Sequence, residues 1–352
     1  MYIVQLKNNY NFVFNKIVLK KVSIKDVANL ANVSIASVSY VLNKMPNNRI
    51  SESTANRIKE AAEKLNYRPN KIAKSLKTNQ SKILGLIVAD IANPFFGKIA
   101  KILEEEALKI GYTIIIGSSG ENNEKFDKLI NFFIDQQVDG LILAPVENSE
   151  KSFLKLNQEK FPYIILDRNL DGINSNGIKI YNEEISFEVT NTLIKKGSKK
   201  PLLVSYETTL GNLLERDFGF YKAIKENNIK ELESIKVKID DIQKDIFDGL
   251  DKHFNGDNKP DSIFFTSNKL AFSGLKYLLK RNINIPEELQ VIAFDESEAY
   301  ELFPVEISYV KQPLDEIAQN ALEMIINNIN NKNKVIQNKE LCAELILRES
   351  TN

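Results

Sequence analysis

The sequence predicts a small all-α head followed by a larger α/β core of two lobes. Three observations predict it. Positive charge gathers near the N-terminus: from Lys20 to Lys82 there are 13 Lys or Arg against four Asp or Glu, a net +9, although the chain of 352 residues carries 47 of each sign. Capped amphipathic helix patterns fill residues 23–65. From Ile83 onward, short apolar runs alternate with amphipathic stretches, the pattern of βαβ units. The length suits a head plus a core split in two.

In the head, Ser23 caps a first helix whose apolar positions Ile24, Val27, Ala28 and Ala31 repeat at helical spacing, with Asp26 completing a capping box. After a turn at Asn32 and Val33, Ser34 caps a second helix. Its inward face is Val38, Val41 and Leu42, which leaves Ile35, Ala36, Ser39 and Tyr40 near or on the outer side. A third helix, roughly Glu52 to Leu65, adds Ile58, Ala61, Ala62 and Leu65 to a miniature core. Helix, turn and helix at this spacing form a helix-turn-helix head, whose second helix enters a DNA groove.

In the body, ILGLIVAD, TIIIGSS, VDGLILAP and YIILD read as strands, with helical stretches such as FGKIAKILEEEALKIGY between them. The alternation pauses near Ile180 and resumes with PLLVSYE, IKVKI, SIFFTSN and VIAFD, so two parallel sheets are expected. Such folds bind ligands beyond the carboxyl ends of their strands. The residues there are Asp90, Asp167 with Arg168, Asn268 and Asp295, joined by Arg216 from the helix opening ERDFGF. Carboxylate acceptors and guanidinium donors together suit a hydroxylated ligand. A strand-end Asp also serves as a turn or cap residue, and the Phe95–Phe96 pair at a helix start suits core packing as well as recognition.

The residue inventory narrows the function. Cys342 is the only cysteine, so an internal disulfide or a Cys-based zinc site is excluded, and a cytoplasmic, reducing location is expected. His253, the only histidine, reads as a solvated helix residue. No P-loop, strand-end GxGxxG, pair of catalytic carboxylates or metal constellation appears; no enzyme activity, catalytic residue, metal or cofactor is expected. No run of eighteen apolar residues suggests a membrane span. Residues 1–19 are expected to be an N-terminal extension, or the product of a start codon placed upstream of one at Val18 or Leu19. An acidic body, net −11 beyond residue 82, behind a basic head suits a nucleic-acid binder in which only the head meets phosphate.

The segments VSIKDVANLANVSIASVSYVLN and ISESTANRIKEAAEKLNYRPNKIAKSLKT resemble the DNA-binding head of the LacI/GalR family nearly position for position. The resemblance implies that Ile35, Ala36 and Tyr40 read bases, while Ser34, Ser37, Asn43, Tyr67 and Asn70 hold phosphates. Members commonly carry Arg where Tyr40 stands. Pro69 to Leu76 resembles the family's hinge helix, with Asn70 and Ala73 at matching positions and Leu76 as a minor-groove wedge; a plain linker helix is the alternative. LGLIVADIANPFF, LDRNLDG, RDFGF and VIAFDESE resemble the family's two-lobed, periplasmic-binding-protein-like core. They place Phe95, Phe96, Asp167, Arg168, Arg216 and Asp295 at its effector cleft. Two positions depart from the family pattern: Lys269 follows Asn268 where Asp is common, and Ser198 follows Gly197 where His is common.

The implied organisation is an extension (1–19), a helix-turn-helix domain (20–68), a hinge helix and linker (69–82) and a core (83–352). The first lobe is expected at about 83–181 and 309–335, the second at about 182–308 and 336–352. The implied function is a homodimeric transcription regulator, a repressor, that binds double-stranded operator DNA under control of a small-molecule effector, a sugar. Alternatives are a purine, nucleoside or phosphocarrier-protein effector on the same regulator, or a solute-binding protein of the same two-lobed fold.

Overall fold

The computed structural model describes residues 22–43, 50–67, 80–170, 172–230, 234–256, 258–330 and 336–352. The chain divides into two compact units, Met1–Asn79 and Gln80–Asn352. The extension at 1–19 and the hinge at 69–76, with Asn70, Ala73 and Leu76, lie outside the described residues.

In the first unit α1 (Ile24–Ala31), α2 (Ile35–Leu42) and α3 (Glu52–Lys64) follow the sequence pattern. The Asp26 carboxylate accepts from the Ser23 amide at 2.8 Å and its hydroxyl at 2.7 Å, closing the start of α1. Asn32 ends it in the left-handed region, φ 49°, which asparagine tolerates. Ser34 Oγ accepts from the Ser37 amide at 3.1 Å and starts α2. Val27, Ala28, Ala31, Val38, Ile58, Ala61 and Ala62 form the small core.

The second unit holds two six-stranded sheets. The first lobe runs β1 (Ile83–Val88), α4 (Pro94–Lys109), β2 (Thr113–Ser118), α5 (Asn123–Asp135), β3 (Gly140–Leu143), α6 (Glu150–Glu159), β4 (Tyr163–Leu166) and β5 (Gly177–Ile180). The chain then crosses to the second lobe: α7 (Asn182–Lys195), β6 (Pro201–Tyr206), α8 (Gly211–Glu226), β7 (Ile235–Val237), α9 (Ile242–Phe254), β8 (Ser262–Phe265), α10 (Asn268–Lys280), β9 (Gln290–Phe294) and β10 (Ser308–Lys311). It returns through α11 (Leu314–Asn330) and β11 (Asn338–Leu341) and crosses a third time to β12 (Glu344–Ile346). Strand orders are β11-β5-β4-β3-β1-β2 and β12-β10-β9-β8-β6-β7. All pairs are parallel except β10 with β12.

The lobe boundaries differ from expectation at both late crossings. Residues 309–311 belong to the second sheet, where Tyr309 pairs with Ala293, and 338–341 belong to the first, where Lys339 pairs with Ile178. The cause is chemical. The run NKEL has no apolar alternation because β11 is an exposed edge strand, and only Leu341 of it is buried.

One device anchors both lobes. Asp139, just ahead of β3, accepts from the amides of Ser81 (2.7 Å) and Lys82 (2.9 Å) and from the Ser81 hydroxyl (2.8 Å). Asp261, just ahead of β8, accepts from the amides of Lys199 (2.8 Å) and Lys200 (3.0 Å) and from the Ser198 hydroxyl (2.5 Å). Ser198 thus ties β8 to the strand beside it. Among the described residues, no helix is long and apolar enough to cross a membrane.

Candidate functional site

The two sheets point their carboxyl ends at a common cleft within the second unit. Asp90 follows β1, Asp167 and Arg168 follow β4, Ser267 to Lys269 follow β8, Asp295 follows β9, and Arg216 lies in α8. Of the cleft residues expected from sequence, Asp90, Phe95, Phe96, Asp167, Arg168, Arg216 and Asp295 line one cavity. Asn268 does not line it. Fully buried, Asn268 donates its side-chain amide to Asn93 Oδ1 at 3.0 Å and its backbone amide to Asp295, so it positions the wall.

Asp167 and Asp295 occupy equivalent places in the two lobes and share a left-handed backbone, φ 65° and 69°. That conformation is uncommon for a residue with a side chain, and at both strand ends it belongs to a cleft carboxylate. Arg216, 3% exposed, lies close enough to both carboxylates for its charge to act on each. Its guanidinium donates to Asn182 Oδ1 at 2.9 Å and to the Thr266 carbonyl at 2.7 Å, and it stacks 3.6 Å from the centre of the Phe294 ring. Asp295 also accepts from the Gln312 amide at 2.7 Å. Arg168 is held by two 2.7 Å bonds to Glu121 and one of 2.9 Å to the Pro145 carbonyl. Its guanidinium lies 5.6 Å from the Phe96 ring. Phe96 packs edge-on against Phe95, centroids 5.0 Å apart, and both rings are buried in the first lobe's core while lining the cavity.

Burial pushes the Asp167 carboxyl up to about 6 against the pull of Arg216 and Arg168, and burial likewise raises Asp295. The raised value means that between about pH 4 and 6 the folded chain holds a proton at Asp167 that the unfolded chain has released. This group therefore favours folding below about pH 4, and its contribution is lost as pH rises through 6. Asp167→Asn removes that slope. Urea melts should show the fall in stability between pH 4.5 and 7 reduced by about 2 kcal/mol; an equal fall in both proteins would show that Asp167 does not hold the proton.

Polar links join the lobes along both rims. On one side Lys269 pairs with Asp90, Lys98 with Glu296 at 2.9 Å, and Asn268 with Asn93. On the other, Glu147 accepts from the Thr208 hydroxyl at 2.6 Å and the Thr209 amide at 2.7 Å. The enclosed space is about 60 Å³. Cavities that hold small-molecule ligands span roughly 300–1,000 Å³. In this lobe arrangement the space between the rims is smaller than such a ligand.

Glu121, Asn212 and Gln312 are among the cavity residues not expected from the sequence. Glu121 sits just beyond β2, where the strand-end rule applies. Asn212 is one helical turn before Arg216 on the same face of α8, and its amide reaches Asp167 at 3.4 Å. Gln312 had no such signal, because its role depends on the crossover after β10.

In the head, Ile35 and Tyr40 are 42% and 41% exposed, Ala36 is exposed, and Val38 is buried beneath them. The hydroxyls of Ser34 and Ser37 lie 2.9 Å apart at the start of α2. Asn43 is the C-cap of α2, and its side-chain amide donates to the Ser39 carbonyl (2.9 Å) and hydroxyl (3.3 Å). Tyr67 packs against the head core.

Comparison with known proteins agrees with this architecture. Residues 23–70 match the family model for bacterial regulatory proteins of the lacI family, and residues 190–351 match that for a periplasmic binding protein-like domain. The HTH-type transcriptional regulator RegA of Clostridium saccharobutylicum is 32% identical over 339 residues, 94% of this chain and 99% of that one. The transcriptional repressor PurR of Aliivibrio salmonicida is 27% identical over 331 residues, again 94% and 99%. Catabolite control protein A of Priestia megaterium is 28% identical over 333 residues, with the same coverage. The Lac repressor dimer bound to operator and an anti-inducer shares the fold, with a TM-score of 0.83 at 20% identity over 94% of this chain and 99% of that one. The chain therefore belongs to the lacI family of bacterial regulatory proteins and is a DNA-binding transcriptional regulator.

Proposed function

We propose that the chain is a homodimeric repressor whose grip on operator DNA is set by a sugar bound between its lobes. The observation that carries the sugar is Arg216 flanked by Asp167 and Asp295: two acceptors and a fixed donor at the floor of the cleft match adjacent hydroxyls, each of which can donate and accept. Cations and carboxylates interleave around the cavity, which favours a neutral polar ligand over one of high charge. Two proteins of this fold are solved with sugars, a CelR–cellobiose complex (TM-score 0.68, 21% identity) and a binding protein/LacI regulator with D-xylulofuranose (TM-score 0.66, 24% identity). A ligand acts by having different affinities for two lobe arrangements. Two heads, one from each protomer, would place their α2 helices in successive major grooves of a near-palindromic site, in the cytoplasm beside the chromosome.

A thermal-shift screen against sugars, sugar phosphates, nucleosides and purines tests the effector class. Sugars should raise the melting temperature with the logarithm of concentration. A response confined to purines or nucleosides would replace the sugar, and no response would move the effector to a protein.

A further inference from the structure

The reading helix of this chain lacks the side chains that read most DNA sequences. Guanine is read by Arg or Lys, adenine by Asn or Gln, and cytosine by Asp or Glu, through hydrogen bonds to the base edge. Helix α2, IASVSYVL, contains none of these residues. Its serines are engaged locally: Ser34 Oγ, at the N-cap, receives the Ser37 amide at 3.1 Å, and Ser39 receives the Asn43 side chain. The exposed face is the branched side chain of Ile35, the methyl of Ala36 and the ring of Tyr40, over the buried Val38.

Ile35, Ala36 and Tyr40 together give α2 a small exposed apolar face, and the surroundings say what it can meet. The segment Lys20–Lys82 carries a net +9, which supplies affinity for a phosphate backbone but no information about sequence. The apolar group that a major groove offers is the 5-methyl of thymine.

We propose that α2 recognises its operator through thymine methyl groups, with Ile35, Ala36 and Tyr40 as the specificity-determining residues, so that the contacted positions of each half-site are A·T pairs. The proposal rests on the DNA-binding reading of the head, and the test separates the two. The full-length protein is used to select duplexes from a random library, and the contacted thymines of the selected duplex are then replaced by deoxyuridine, which lacks only the methyl. Each replacement should weaken binding about fourfold, the worth of one buried methyl group. Ile35→Ala, a change at an exposed position that leaves the head's core intact, should weaken binding to the thymine duplex while abolishing the penalty for deoxyuridine at the position Ile35 touches. Equal affinity for the thymine and deoxyuridine duplexes, or selected half-sites with G·C at the contacted positions, would overturn methyl reading and leave the regulator intact. Failure to enrich any duplex would overturn both.

Discussion

Arg216→Ala should abolish the response to effector and destabilise the core by about 3–5 kcal/mol, the range found when one partner of a buried charge set is removed. Arg216 is 3% exposed and joins three parts of the second unit: Asn182 at the first interlobe crossing, the Thr266 carbonyl beyond β8 and the ring of Phe294 at the end of β9. Its charge also offsets the carboxylates of Asp167 and Asp295, each already pushed up by burial. Without it both must take up protons or unfold the cleft floor. Arg216→Lys keeps the charge but cannot span the same partners with one planar fork, so its loss should be intermediate. Urea melts and operator titrations with ligand check both variants. A natural melting profile with a normal ligand response in Arg216→Ala would remove this residue from the site.

Gly219→Ala should be comparably damaging for a purely steric reason. A Cβ at this position would stand 2.2 Å from the Glu183 carbonyl oxygen, 2.7 Å from the Phe187 amide nitrogen and 2.8 Å from Ser186 Cβ. Two of these are backbone atoms of α7, so α7 and α8 would have to part. Overpacking of this severity reaches about 3 kcal/mol, which lowers the melting temperature of a unit this size by roughly 5–10 °C. Gly97→Ala is the control. Its nearest neighbour would be the Ile91 carbonyl at 3.6 Å, and the change should stabilise α4 slightly, because alanine is the better helix former. Melting temperatures for the pair decide the matter: equal values would mean that the close approach of α7 and α8 is not needed.

Much of this architecture was legible in the amino-acid sequence because its signals are local. Caps at Ser23 and Ser34 and apolar spacing within one turn locate the head helices, and the change to alternating apolar runs at Ile83 locates the first sheet. The cleft residues at strand ends, such as Asp90 and Asp295, follow from a topological rule. What escaped depends on distant partners. Residues 309–311 and 338–341 lie in the opposite sheets from those expected, because an edge strand such as NKEL carries little periodicity. Gln312 acquires meaning only through Asp295, seventeen residues earlier in the chain. Asn268 looks like a ligand contact by position, yet its side chain turns to Asn93 across the lobes. Lys269 stands out in sequence as a departure from the family pattern, and its pairing with Asp90 across the cleft becomes visible only when the lobes are folded.

A molecule bound between the lobes is expected to change the grip of the head on DNA. Fluorescence-anisotropy titration of the full-length protein on a selected operator duplex, with and without a saturating ligand from the thermal-shift screen, tests it most directly. Saturating ligand should change the operator Kd by about 5–150-fold, the usual range of allosteric coupling, and Asp295→Asn should lose that change. An operator affinity that stays the same while the ligand demonstrably stabilises the core would contradict it.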